Sequence, residues 1–522
     1  MNQPSTTWKV QNPSLILYAF QLRQGMSQGN QEVMENADQL WEQCVTFGEQ
    51  RQILILKSLK SELLCYTYDY DPKESKYRYN PDNEEQKATA EGKLDPDDWL
   101  ELIRKDPQSN QARQLRFHTE LDNDGLRLMG EIYPLRIHDT YALDLTLRYR
   151  ETVNLTKLSQ LNPTDHIQAS LGQTLLLFTK PINSNPVSPR DNKECSECDP
   201  NQPHFSSYPD LANHCVAALF KDTAEVIPLA ATGQLFGSPI FEYDNDKQQP
   251  KERRHVLVWF DSHPETVSKG AEAYYSLLNL LCCRSKIIYA YDQSRRCHEA
   301  AREISSQLEQ KVEELVQPPE ETLEDLEEWL RFIPQQAFHY AKYLRDMEDH
   351  STAINTNMLN YTAMLEKIQT LSLPDDNLTF CQNFLDHNCK KWQKQIEVDL
   401  NYLKPSQHLF DQMSSTIRGI IEVKQTESDR DLQKTLQDKE AADKKREKQL
   451  ESVIAGVGTG LTISGISSQV ASNPSKEISP AACQQPNLPF YFACSLVDMF
   501  IHIAIAVPVG ILVWLWQKPN NG

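Results

Sequence analysis

The run Tyr141-Ala142-Leu143-Asp144-Leu145-Thr146-Leu147-Arg148-Tyr149 carries the sharpest pattern in the chain. Tyr141, Leu143, Leu145, Leu147 and Tyr149 alternate with Ala142, Asp144, Thr146 and Arg148. Successive side chains of a strand point to opposite faces, so this alternation predicts a strand with one face buried. Working outward, Leu15–Leu22, Ile53–Leu56, Leu171–Thr179, Ile240–Tyr243, His255–Phe260 and Lys286–Tyr291 are short apolar runs that also read as strands. Helical patterns fall between them, at Glu35–Phe47 and Glu265–Leu281. A sheet covered by helices is the economical packing for such a mixture, so residues 1–292 are expected to form an α/β domain. Polar, proline-containing stretches near 68–98 and 181–209 read as loops or insertions within it.

Beyond Asp292 helix formers dominate. Residues 293–404 read as a helical region with a first helix ending near Val316, before Pro318–Pro319. A second starts near Glu320, where Glu320, Glu321, Glu324 and Asp325 suit the positive end of a helix dipole, and continues, bent at Pro334, to about Leu371. After the break Pro374–Asn377, Phe384, Trp392, Ile396 and Leu400 recur at helical spacing. Pro405–Ser406 then opens a long stalk helix over 405–451, with Ser406 as N-cap and an apolar seam of Leu409, Met413, Ile417 and Ile420.

The last part of the chain reads as membrane. Leu496–Trp516, within a segment 490–517, covers about 31 Å as a helix, close to one hydrocarbon core. Trp514 and Trp516 stand where amphipathic rings favour the headgroups. Residues 452–472 are uncharged and of spanning length but rich in Gly, Ser and Thr, which suits a helix packed closely on others. Gly458, Thr462, Gly465, Gln469 and Ser472 fall on one stripe of that helix. A polar stripe must face protein or water, so it either packs against the second helix or a neighbouring subunit, or lines a water-filled pore, unless the helix is juxtamembrane and never crosses; these residues, with Asn473, are the pore-lining candidates. Asp498 and His502, at i and i+4, are the ionisable residues of the second span. Lys444, Lys445, Arg446 and Lys448 precede the first span and mark the cytoplasmic side. Residues 473–489 become a short external loop and 518–522 a cytoplasmic tail. The expected fold class is thus an α/β cytoplasmic domain followed by a long α-helical stalk and two C-terminal transmembrane helices. The expected location is integral to a lipid membrane, with both termini cytoplasmic.

The formal net charge of −20 over 522 residues argues against a nucleic-acid partner. The 12 cysteines are scattered, with Cys282 and Cys283 adjacent, as in a reduced compartment rather than a disulfide framework.

An acidic α/β domain, intermediate helices, a very long helix and two closely spaced C-terminal spans resemble the CorA-like (2-TM-GxN) metal-ion transporters. The stretch Gly237-Ser238-Pro239-Ile240-Phe241-Glu242-Tyr243 is also similar to uncharacterised cyanobacterial CorA-like membrane proteins. The resemblance implies a homo-oligomer, a pentamer, whose first spans line a path for Mg2+ or another divalent cation. The family's Gly-Met-Asn signature is missing: Gly465-Ile466-Ser467-Ser468-Gln469-Val470-Ala471-Ser472-Asn473 contains no Gly-x-Asn. Magnesium selectivity therefore does not carry over. Two functions follow as expectations, an oligomeric divalent-cation channel (or a non-conducting relative of one) and a membrane-anchored oligomeric scaffold or sensor whose α/β domain binds a partner.

Two smaller constellations complete the reading. Cys195 and Cys198, with His204, His214 and Cys215 following, have the residue types for a structural zinc, against the plainer reading of a loop and a buried cysteine. Asp261-Ser262-His263 reads as a turn after a strand, since catalytic triads are assembled from distant segments. No nucleotide-binding, metalloprotease or nucleophile-elbow motif occurs, and the chain is not expected to be an enzyme.

Overall fold

Strand β1 (Lys9–Leu22) is the spine of the fold. In this computed structural model it pairs antiparallel with β7 (Thr140–Arg148) along one edge and with β9 (Gly172–Ile182) along the other. The structure describes residues 8–25, 32–73, 76–80, 99–105, 115–122, 124–182, 208–221, 226–316 and 323–434. The sheet is completed by β4 (Trp99–Glu101), β5 (Leu115–Leu121), β6 (Arg127–Ile137), β8 (Thr152–Asn154), β10 (Leu229–Leu235), β11 (Ser238–Asp244) and β12 (His255–Phe260). Its order is β10-β11-β12-β9-β1-β7-β6-β4, with β5 on β6 and β8 on β1. β12 and β9 run parallel, which makes the sheet mixed. A separate hairpin, β2 (Tyr66–Asp71) with β3 (Lys76–Tyr79), occupies part of the stretch near 68–98 read as a loop.

One face of the sheet is dry. Leu15, Leu17, Ala19, Leu143, Leu145, Leu147, Leu175, Leu177, Val256, Val258 and Phe260 form one buried cluster. It includes Trp41 and Phe47 of helix α1 (Gln39–Gln50), and Leu211 and Cys215 of helix α4 (Tyr208–Leu219). Between these helices lie two short ones, α2 (Leu54–Lys57) and α3 (Leu59–Glu62). The α2 segment corrects the strand expected at Ile53–Leu56: four apolar residues are too few for periodicity to separate strand from helix.

The second face is covered too, which the alternation at Tyr141–Tyr149 does not suggest. Ala142, Asp144 and Thr146 are buried as well. Helix α5 (Thr266–Glu272) is followed by α6 (Tyr274–Val316), and Tyr274 at the head of α6 donates a 2.7 Å hydrogen bond to Asp144 Oδ2. Lys286–Tyr291, expected as a strand, lies inside α6. Its apolar residues Ile287, Ile288 and Ala290 are buried as part of a helical face, and six such residues satisfy either period.

Helix α7 (Leu323–Thr370) contains Pro334, and α8 (Thr379–Asn383) passes through a π-helical turn at Phe384–Cys389 into α9 (Lys390–Lys434). The helix expected to open at Pro405–Ser406 therefore begins earlier and runs through Pro405. Leu403, Phe410, Met413, Ile417 and Ile421 are buried along it.

The chain divides into two compact units, Met1–Cys297 with Asp346–Val398 and His298–Arg345 with Asp399–Gly522. The sheet belongs to the first. In the second, the Tyr340 ring packs tilted against Phe410 and its hydroxyl donates to the carbonyl of Leu403 at 2.5 Å, and the Ser305 and Ser406 hydroxyls lie 2.8 Å apart. Helices α6 and α7 carry residues of both units.

The expected fold class needs correction. Among the described residues no helix is long and apolar enough to cross a membrane. The segments 452–472 and 490–517 lie outside the described residues. Charged residues interrupt the long helices α6, α7 and α9, in α6 from Arg284 onward. The architecture described is a mixed α/β sheet with long helices, and no transmembrane helix is among the described residues.

Candidate functional site

Strands β11 and β12 place charge where an apolar sheet face would be cheapest. Period two sends Phe241 and Tyr243 of β11 to the dry cluster, and Ile240, Glu242 and Asp244 to the opposite face. In β12, Val256, Val258 and Phe260 face the dry cluster, whereas His255, Leu257 and Trp259 face away. The antiparallel register sets Asp244 against His255. From α6, Arg284 reaches this face and lays its guanidinium over the ring of Phe384, 4.3 Å from the centroid.

These groups form one buried network. Arg284 Nη2 lies 2.6 Å from Asp244 Oδ2 and 3.2 Å from Glu242 Oε1. Arg253 adds contacts of 2.8 and 3.0 Å to the same Asp244 oxygen, and its Nη2 also meets Asp246 at 2.9 Å. His255 Nε2 is 3.0 Å from Glu242 Oε1, and its Nδ1 is 2.8 Å from the Thr174 hydroxyl. An ionised carboxylate only accepts, so Nε2 carries the proton and Nδ1 accepts from Thr174. Burial pushes both carboxyl groups upward, but the Arg284 guanidinium, with Arg253 or His255, outweighs it. Asp244 is held at about 2 and Glu242 below its ordinary value. Burial and the nearby Arg284 charge lower His255, favouring the neutral ring.

Glu242, Asp244 and His255 bring their ligand atoms within 4.8 Å of one another, as a metal site would. The chemistry does not fit a cation. Two guanidinium groups already neutralise the two carboxylates, and both ring nitrogens of His255 are committed. A metal would have to displace Arg284 and leave its charge buried without a partner, which is strongly unfavourable. The cluster is a structural ion-pair network.

The network forms one wall of a cavity of about 50 Å³. Glu242, His255 and Arg284 line it, together with the Tyr18, Tyr361 and Cys381 side chains. The rest of the wall is aliphatic or aromatic, from Leu176, Ile240 and Trp259 of the sheet, Leu277, Leu280 and Leu281 of α6, and Leu365 and Ile368 of α7. Burial pushes the Cys381 thiol up to about 12, so it is protonated near neutrality. Arg284 Nε is buried and has no hydrogen-bond partner in the protein, although the Nη2 of the same side chain serves two carboxylates.

A clasp holds the α7–α8 turn over this face. β10 and β11 are joined by Phe236 and Gly237, with φ of 51° and 78°, the left-handed pair of a two-residue hairpin turn. A Cβ on Gly237 would lie 2.5 Å from the His263 ring, so this position requires glycine on both counts. The carboxylate of Asp376 accepts from the backbone N–H groups of Phe236 at 2.8 Å, Gly237 at 2.7 Å and Leu373 at 2.8 Å. Gln234 and Asn377 exchange backbone hydrogen bonds of 3.0 and 2.8 Å beside it. Ser238 begins β11 and accepts from the backbone N–H groups of Ser262 and His263, so Asp261-Ser262-His263 is a turn tied to the sheet.

Most of the residues singled out in the sequence lie elsewhere. Gly458, Thr462, Gly465, Gln469, Ser472, Asn473, Asp498, His502, Lys444, Lys445, Arg446 and Lys448 fall outside the described residues, as do Cys195, Cys198 and His204. His214 and Cys215 are adjacent on α4 but are not brought together. His214 is exposed and packs on the Trp8 ring at 5.7 Å, whereas Cys215 belongs to the dry core and burial raises its thiol. Sequence reasoning missed Glu242, Asp244, His255 and Arg284. The available signal was a charged residue inside an apolar run, Glu242 within Ile240–Tyr243 and Arg284 within Leu277–Ala290. Set beside family models, curated proteins and solved structures, the chain finds no match to any of them.

Proposed function

We propose that this protein is a ligand-responsive scaffold or sensor rather than an enzyme, its sheet unit receiving a small molecule in the cavity beneath α6 and α7. The carrying observation is the cavity itself, lined by the ends of two helices that each continue into the second compact unit. A ligand there tightens the packing of α6 at Leu280 and of α7 at Leu365 against the sheet. Nothing on the wall is set for proton transfer or nucleophilic attack. The carboxylates are paired and ionised, the imidazole nitrogens are both used, and the thiol is protonated. Self-association belongs to the same reading: Phe338 and Tyr402, in the second unit, are 69% and 79% exposed. Large exposed rings of this kind are common in protein interfaces.

A thermal-shift fragment screen on the full chain, repeated on Leu365→Trp, tests the reading. The expected result is a set of hits lost in the variant, with hydrogen exchange along 277–284 and 361–368, which line the cavity, slowed by those hits. Hits that survive cavity filling, or none at all, would overturn it. The transport expectation makes a different demand, divalent-cation flux in proteoliposomes, and draws no support from the described residues.

A further inference from the structure

We propose that the turn between α7 and α8 is the gate of the cavity, latched by Asp376 and hinged at the π-helical turn that follows α8. The proposal rests on the sensor reading above and adds the route by which that site opens.

The walls of the cavity are held in different ways. Its sheet side is formed by β1 and by β9 through β12, joined by ladder hydrogen bonds. Its α6 side, from Leu277 to Arg284, lies within one continuous helix. On the remaining side the chain changes direction. Leu365 and Ile368 lie near the end of α7, and Phe380 and Cys381 belong to α8. Between them Leu378 is, among the described residues, the one lining residue outside a strand or helix. α8 is only five residues long and runs into the π-helical turn Phe384–Cys389. A helix this short draws its stability from its neighbours, and π-helical turns occur frequently at functional sites.

What fastens this side is polar and brief. Asp376 accepts from the N–H groups of Phe236 and Gly237, and Gln234 and Asn377 exchange two main-chain hydrogen bonds. These bonds join the turn to the β10–β11 hairpin. Gly233 lies against the same turn without a side chain: a Cβ there would sit 2.6 Å from the Asn377 carbonyl oxygen and 2.6 Å from the Phe380 ring. The turn therefore rests on bare backbone and has no side chain to interlock with at that point. Native proteins open locally where hydrogen bonds, rather than interlocked apolar side chains, hold the chain. The far end is anchored differently. There the Phe384 ring lies 5.5 Å from that of Tyr361 and 4.3 Å from the Arg284 guanidinium. Release of the clasp lets the turn and α8 swing about that end and uncovers the cavity beside α7.

Two buried cysteines report on the gate. Cys381 belongs to the cavity wall, whereas Cys215 lies in the dry core on the other face of the sheet. The full chain is treated with iodoacetamide under native conditions, and alkylation at each cysteine is followed by peptide mass spectrometry. Global unfolding exposes both thiols, and the gate exposes Cys381 alone. In wild type Cys381 is expected to react about tenfold or more faster than Cys215. Asp376→Ala removes the latch and should speed Cys381 by a further factor of about ten or more, with Cys215 unchanged. Gly233→Ala pushes on the Asn377 carbonyl without touching Asp376 and should act in the same direction; it carries the test if Asp376→Ala fails to fold. A screen hit that is lost in Leu365→Trp should slow Cys381 in wild type. Equal rates at the two cysteines in wild type, or rates that rise together in the variants, would overturn the gate whatever the screen returns. Hits lost in Leu365→Trp that leave Cys381 alkylation unslowed would overturn the gate and leave the sensor reading standing. The expected alkylation pattern with no screen hit would overturn the sensor reading and, with it, the gate as a ligand route.

Discussion

The two faces of the sheet are made by the same strands and are opposite in kind. On one face Leu145, Leu177 and Val258 pack with Trp41, Phe47 and Leu211 in a continuous apolar core. On the other face the intervening residues are Asp144, Thr174, Glu242 and His255, covered by α6 to α8 and enclosing a cavity. The first face has many equivalent contacts, so its packing is set by volume. The second has few partners for each group, so its structure is set by which donor meets which acceptor.

The second face contrasts within itself as well. Asp144 and Asp244 are both buried carboxyl groups on it, yet their acidities move apart. Burial raises Asp144 to about 6, and its hydrogen-bond donors are the hydroxyls of Tyr274 and Thr146 rather than a cation. Asp244 touches Arg284 and Arg253 and falls to about 2. A hydroxyl supports a carboxylate only weakly against desolvation, whereas a guanidinium in direct contact reverses it.

The sharpest way to break the comparison is Arg284→Met. It leaves Asp244 with Arg253 alone and Glu242 with His255, and is expected to cost about 3–5 kcal/mol by urea unfolding, the range for one partner removed from a buried pair. A cost below about 1 kcal/mol would mean that water reaches the network and that the second face is not closed.

Enlarging a side chain should separate the faces next. Leu177→Phe, in the packed core, is expected to destabilise by about 1–3 kcal/mol, because no space exists for the added atoms. Leu365→Phe, on the cavity wall, should change stability by less than about 1 kcal/mol, since the ring occupies space already present. Equal costs would remove the cavity from the account.

The pH dependence tests Asp144. Its folded value is raised, so the stability it contributes is fully present below its unfolded value of 3.8 and is lost as pH rises through about 6. Asp144→Asn should therefore gain about 1–2 kcal/mol on wild type between pH 4 and pH 6, with no further gain above that. Asp244, with a lowered value, acts in the opposite sense and loses its contribution only as pH falls from its unfolded value of 3.8 toward about 2. A variant whose urea midpoint tracks wild type from pH 4 to pH 6 would refute the raised acidity of Asp144.

The smallest effect is expected at the clasp. Asp376→Asn keeps one carbonyl acceptor for the N–H groups of Phe236, Gly237 and Leu373, and should cost about 1 kcal/mol. Hydrogen exchange at these three amides should quicken in the variant, with exchange in β7 unaltered.

Local pattern alone determined a good deal. The alternation at Tyr141–Tyr149 specified β7, because the period of a strand is written in neighbouring residues. The break at Pro374–Asn377 bounded the far end of α7 for the same kind of reason, since proline removes a donor, while Pro318–Pro319 lies outside the described residues. Tertiary structure decided what pattern could not. It made a helix of Lys286–Tyr291, carried α9 through Pro405, and covered the polar side of β7 that alternation assigns to solvent. It also gathered the site: Arg284 lies 40 residues from Asp244, and His255 lies 13 from Glu242. Periodicity records which way a side chain points. Whether a buried charge finds its counterpart depends on elements distant in sequence, and only the packed sheet and helices bring them together.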